Sequence, residues 1–237
     1  MIRLIKNEYI KIGKYKILIM FGIFLIIICF IYKFNNRIDA LNNSFELIPF
    51  IGVSACVLFS GIISLEYTNG NLRYYLTKPI KRSKIYLSKI LAIYLYIFLL
   101  MIYIIIINLI FIKKIDTAYI FDFILYCFPL LTIGMYIILL STLFKNTSLV
   151  VGINMFTLIF SFLISQILLG YGLNFIEYTT LPYLEFNLFN DKDVIYKINQ
   201  DLGCNLNIKT GIIIDTFYLI VYYLIGNKLF KIKDIRI

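Results

Sequence analysis

A chain of 237 residues that is 61% hydrophobic, with a mean hydropathy of +0.89, has too few polar residues to face water on every side. A soluble domain is nearer half apolar, so lipid must cover much of this surface. The net charge of +10 sits in short segments flanking apolar runs, which reads as membrane orientation rather than nucleic-acid binding, and the absence of histidine excludes His-containing triads and His metal sites.

Residues 1–14 open the chain with an amphipathic pattern. Ile2, Ile5, Tyr9 and Ile12 share one helical face, and Arg3, Asn7, Lys11 and Lys14 share the opposite one. The pattern predicts an interfacial helix over 1–16, lying in the headgroup plane with its apolar face down. The first apolar run starts late and lacks a small-residue cleavage site, so no cleavable signal peptide is expected. A membrane helix needs about 20 apolar residues to cross a core of roughly 30 Å. Six stretches qualify: 17–34, 47–65, 90–112, 124–144, 149–169 and 211–230. The expected fold is one all-α integral membrane domain over 1–237. No internal repeat and no low-complexity tract is visible.

Orientation follows from the flanking charges. With the N-terminus inside, sixteen of the 23 Lys and Arg fall in inner segments and seven in outer ones. Nine of the 13 acidic residues fall outside. The positive-inside rule therefore places both ends in the cytoplasm.

The segment between the second and third spans is the most informative. Asn69 or Thr68 can cap a short helix, on which Leu72, Tyr75 and Leu76 form one apolar stripe. Pro79 ends that helix, and Ser83 can cap the next one, which runs into the third span. The edge is read either as lipid contact or as a docking surface for a cytoplasmic partner. Between spans five and six lies the longest connection, 170–210. Its first half is partly apolar around Pro182, and it can dip back against the bundle, where protein buries its backbone groups.

On Glu66, Gly70, Leu72, Leu76, Pro79, Arg82 and Lys89, placed between the second and third of six spans, the chain resembles the permease subunits of type-2 ABC exporters. In size and overall look it is similar to the small bacterial permeases of the bacitracin-resistance and lantibiotic-immunity types. The architecture matches over essentially the whole chain, the sequence motif over some two dozen residues. The resemblance implies a coupling helix within 66–78 that docks on an ATPase, carried by Glu66, Gly70, Leu72, Tyr75, Leu76, Pro79 and Arg82. It implies that 1–16 is the elbow helix and that 170–210 holds short re-entrant outer helices. It implies two paired permeases, identical or different, each with a cytoplasmic ATPase subunit in a bacterial cytoplasmic membrane. The only Gly-Lys is Gly13-Lys14, followed by Tyr15 and with Glu8 where a P-loop needs glycine. No cofactor is expected on this chain itself. ATP and magnesium would belong to the partner, and this chain would not be an enzyme.

Several residues have two readings. Glu66 either pairs with the basic cluster and fixes the coupling helix or ends a helix in solvent. Lys81, Arg82 and Lys84 are read first as topology charges that also meet anionic lipid. Asn108, Asn154, Ser161 and Gln166 are polar groups inside spans; they join neighbouring helices or, less simply, line a substrate path. Asp215, the one acidic residue inside a span, either lines the outer exit of such a path or marks an interfacial boundary. Cys29, Cys56, Cys127 and Cys204 form no Cys-x-x-Cys pair and read as packing residues, although a Cys127–Cys204 disulfide is conceivable. The competing classes are a stand-alone secondary transporter or channel, for which Asp215 is the only coupling group, and a membrane-embedded enzyme, for which no catalytic constellation is visible.

Overall fold

The computed structural model describes residues 1–35, 43–44, 47–69, 80–112, 123–184 and 192–232, all of them helix, turn or irregular chain with no strand. In chain order the helices are α1 (Ile2–Ile12), α2 (Lys14–Phe34), α3 (Ile48–Phe59), α4 (Ser64–Thr68), α5 (Arg82–Ile112), α6 (Cys127–Leu143), α7 (Thr147–Gly170), α8 (Lys192–Leu202) and α9 (Ile208–Ile232). Two 3-10 turns, Asn174–Tyr178 and Leu181–Tyr183, lie between α7 and α8.

Five stretches are long and apolar enough to cross a membrane: Lys14–Phe34, Ile48–Thr68, Arg82–Ile112, Phe123–Leu143 and Ile208–Ile232. A sixth, Thr147–Gly170, qualifies only if its two limbs, bent by 62° between Ser161 and Leu163, count as one. The hydroxyls of Thr157 and Ser161 bond back to carbonyls three and four residues earlier. Such back-bonding weakens the helical ladder and favours bending.

The core is built from α3, α5 and α6, where Ile51, Ala55, Phe59, Ile93, Tyr96, Ile97, Ile137 and Ile138 are fully buried. Helix α2 buries only Phe24 and Ile28 and leaves Leu18, Ile19, Ile26 and Phe30 exposed. Its surroundings are therefore apolar, as lipid supplies. Helix α9 packs chiefly on α6, with Gly226 against the Tyr86 ring of α5. A Cβ on Gly226 would overlap the Tyr86 hydroxyl and lie 2.9 Å from Cζ, so only glycine permits this approach.

The element bounds differ from the expectations in four places. The N-terminal helix ends at Ile12 rather than 16, because Gly13 turns the chain at φ +91° and α2 begins at once. The second apolar stretch is interrupted at 60–63 and resumes in α4, which takes Glu66 into a helix. The third starts at Arg82, eight residues before the apolar run at 90, so Lys89 stands two turns inside a helix. Helix α9 starts at Ile208, which places Asp215 well within it rather than at a boundary. Cys127 and Cys204 do not pair: the Cys127 thiol meets Met101 Sδ at 3.6 Å, and the Cys204 thiol donates to Asn199 Oδ1 at 3.3 Å.

Candidate functional site

Four charged side chains meet where α1 crosses the junction of α4 and α5. Glu8 and Lys11 come from α1, Glu66 from α4 and Lys89 from α5. Lys89 Nζ lies 3.2 Å from Glu8 Oε1 and 2.8 Å from Glu66 Oε2. Lys11 Nζ lies 3.2 Å from Glu8 Oε1 and also pairs with Glu66 Oε1. Lys89 is 0% exposed, Glu8 3% and Glu66 4%, so three of the four charges are out of water. Two carboxylates face two ammonium groups, and the set is neutral. Buried ions cost several kcal/mol each in lost hydration, which only close pairing of this kind offsets.

The backbone around the knot depends on the same side chains. The break at 60–63 frees groups that a continuous helix would pair. Ile63 N–H and Ser64 N–H both donate to Ser141 Oγ of α6, each at 3.1 Å. Lys89 Nζ donates to the Ile62 carbonyl at 2.9 Å. In an apolar surround an unpaired peptide group costs several kcal/mol, so the break persists because α5 and α6 supply these partners. Asn154 of α7 adds a third tie, donating to Ser60 Oγ at 3.2 Å.

Helix α1 is fixed from its other side as well. The Tyr9 hydroxyl donates to the Ala92 carbonyl at 2.9 Å, and its ring meets Phe59 edge-on. Burial, with a smaller contribution from Tyr96, pushes the Tyr9 phenol above its ordinary pKa. Lys11, placed by the amphipathic pattern on the polar face with Arg3 and Asn7, stays 35% exposed, yet its ammonium reaches two carboxylates. Beside the knot a cavity of about 420 Å³ opens between α1, α2, α3 and α7, bordered by Glu8, Lys11, Lys16 and Thr147 and otherwise apolar.

At the same end, Arg82 Nη1 donates to the Lys231 carbonyl at 2.6 Å and caps the last turn of α9. The first turn of α5 is thereby tied to α9 and its third turn to α1 and α4. Residues 70–79 join these anchored ends. Gly70, Leu72, Tyr75, Leu76 and Pro79 lie outside the described residues.

A family model described as a protein of unknown function, DUF2705, matches residues 33–236. The chain belongs to the DUF2705 family. No curated protein matches it. The DUF2705 match takes in Glu66, Lys89, Ser141 and Asp215 and begins after α1, so half of the charge knot lies within the matched span and half before it.

The other singled-out residues of this DUF2705 chain lie apart from the knot. Asn108 is fully buried, accepts from the Tyr32 hydroxyl and donates to Ser44 Oγ, both at 3.0 Å. It joins α2 to α5, the simpler of its two readings. Asn154 does the same between α7 and the break, with Oδ1 left unpaired among the described residues. Gln166 is half-buried beyond the bend of α7. Asp215 is 0% exposed, and neither carboxylate oxygen has a partner among the described residues.

The sequence reading gave Glu8 no role and held Lys89 only as a position of the permease-like motif, without its partners. The signal for Glu8 was present: it falls within the Ile5, Tyr9, Ile12 stripe, where an acidic residue has no reason to be unless a cation meets it. Lys89 was concealed by counting it as the last residue of a loop.

Proposed function

We propose that this chain is the membrane-spanning permease subunit of an ATP-driven exporter of the type-2 ABC kind. In this reading it has six spans, both ends in the cytoplasm of a bacterium, a re-entrant outer segment within 170–210, and a separate ATPase subunit. It pairs with a second permease copy or a different permease. It moves an amphipathic molecule, such as an antimicrobial peptide, a drug or a lipid-like compound.

The observation that carries the reading is the knot of Glu8, Lys11, Glu66 and Lys89. A segment that receives force from a partner needs rigid mounts at both ends. Here 66–69 and 80–89 are held to each other and to α1 by buried ion pairs, and α5 continues from Arg82 to Ile112 without a break. Displacement of the short connection 70–79 would pass into the longest helix of the bundle rather than dissipate in a loose loop. The positive charges crowd this same end, in keeping with a cytoplasmic side.

The test is co-purification with a P-loop ATPase and measurement of hydrolysis. Changing Leu72, Tyr75 and Leu76 together to glutamate should leave the bundle folded and lower permease-dependent ATP turnover by about tenfold or more, the scale of a lost hydrophobic interface core. Unchanged turnover refutes the docking role. Asp215 favours a second reading, a secondary transporter, because a lone buried acid within a membrane helix is a possible coupling group. Substrate movement driven by a proton gradient with no ATPase present would select it.

A further inference from the structure

At the opposite end of the bundle, a cavity of about 240 Å³ lies between α6, α7, α9 and the turn at 179–184. Three tyrosine rings, Tyr136, Tyr218 and Tyr222, and four threonines, among them Thr132, Thr157 and Thr180, line much of it. The rings form a continuous set, with centroids 5.8 Å apart for Tyr136–Tyr222 and 5.6 Å for Tyr218–Tyr222. Two of their hydroxyls are engaged in the wall: Tyr222 hydrogen-bonds Thr180, and Tyr136 hydrogen-bonds Thr157.

Asp215 does not line this chamber but stands behind its wall, close enough to act electrostatically on Tyr222. It precedes Tyr218 by three residues and Tyr222 by seven, so all three share one face of α9. Thr132, part of the cavity wall, donates to the backbone carbonyl of Asp215 at 3.4 Å. The carboxylate itself is fully buried, with neither oxygen partnered among the described residues. Helices α6 and α7 contain no Lys or Arg at all, and neither does 179–184. On α9, Lys209 sits at the first turn, and Lys228 and Lys231 lie about 20 Å or more along the axis. The described elements thus place an acid beside an aromatic chamber whose α6, α7 and 179–184 walls carry no Lys or Arg.

We infer that this cavity binds a single organic ammonium group, with the cation between the Asp215 carboxylate and the tyrosine faces. An ammonium is attracted to ring faces and donates charge-assisted hydrogen bonds to a carboxylate. A hard metal ion instead wants six or more oxygen ligands, and among the described residues no group of three or more His, Cys, Asp or Glu offers such a set. The volume is below the 300–1,000 Å³ typical of drug-sized ligands, so the chamber takes a head group whose tail lies outside it. Both an amino-lipid of the bilayer and a free amphipathic amine carry that group. The inference does not depend on the ATP-driven reading, since binding is measured with no ATPase present.

The experiment uses the full chain in phosphatidylglycerol nanodiscs and labelled octylammonium in equilibrium dialysis. Saturable binding is expected, with no competition from 1-octanol. Asp215→Asn should weaken it about ten- to hundredfold, the range of a hydrogen bond to a charged group. Tyr222→Leu keeps the acid and removes a ring, and should weaken binding about three- to tenfold. Helical content and elution volume report whether each variant is folded; if Asp215→Asn is not, Tyr222→Leu decides. Unchanged affinity in the folded variant, or octanol competing as well as octylammonium, overturns the inference. Adding phosphatidylethanolamine to the disc separates the sources: weaker apparent octylammonium binding assigns the site to a lipid head group, and unchanged binding assigns it to a free amine.

Discussion

Replacing Lys89 by methionine tests the charge knot most directly. Methionine keeps the length and apolar stem of lysine and removes only the ammonium. Three contacts go with it: the pairs with Glu66 and Glu8 at 2.8 and 3.2 Å, and the hydrogen bond to Ile62 at 2.9 Å. Lys11 still faces both carboxylates, but one cation then serves two buried acids, and the set carries a net negative charge. Breaking a buried ion pair by removing one partner costs about 3–5 kcal/mol. Because Lys11 compensates in part, the low end applies, about 3 kcal/mol. The orphaned Ile62 carbonyl adds about 1 kcal/mol. The expected loss is about 4 kcal/mol, read as a shift in the SDS-induced loss of helical signal in mixed micelles. Lys81→Met, at an exposed position two turns away, is the control and should shift little. The double variant Glu8→Gln with Lys89→Met restores one acid to one base and should recover about half of the loss. Equal stability of Lys89→Met and Lys81→Met would refute the argument, as would a double variant less stable than the single one.

Three further outcomes follow from the packing. Gly226→Ala should destabilise by about 1–3 kcal/mol, the usual cost of overpacking, since the fully buried Tyr86 has nowhere to move; the same micelle titration reads it. Ser141→Ala orphans two buried peptide N–H groups and should cost about 2–4 kcal/mol, whereas Ser148→Ala at an exposed position should cost almost nothing. Cys204, buried and further influenced by Glu177, has its thiol pushed above the ordinary range, so maleimide labelling should rise only at pH values above about 8.5, where a free thiol is already half ionised.

Much of the scaffold was legible because membrane helices announce themselves. A run of about 20 apolar residues has few alternatives, and 17–34, 124–144 and 211–230 each fall within a few residues of an observed helix. The interruptions were not legible. Nothing in Ser60-Gly61-Ile62-Ile63 marks a break until Ser141 and Lys89, distant in sequence, supply its missing partners. The knot escaped for a related reason: hydropathy treats each charge as a cost to be kept at the rim, whereas Glu8, Lys11, Glu66 and Lys89 cancel as a set only once three helices meet. Arg82 was assigned to the docking segment by resemblance; its guanidinium caps α9. Asp215 was noticed because it is lone and acidic, but its enclosure by uncharged helices could be seen only in three dimensions.

The knot also imposes an order on biogenesis. Tyr9 and Ala92, whose contact seals α1 against α5, are 83 positions apart, and Lys89 is made almost as late. Until that lysine emerges from the ribosome, Glu8 and Lys11 have no reason to leave water, so the first helix synthesised waits at the surface for the third apolar stretch. A chain with that stretch inserted the wrong way round could not bring Lys89 to Glu8 and Glu66, and both acids would lose their buried cation.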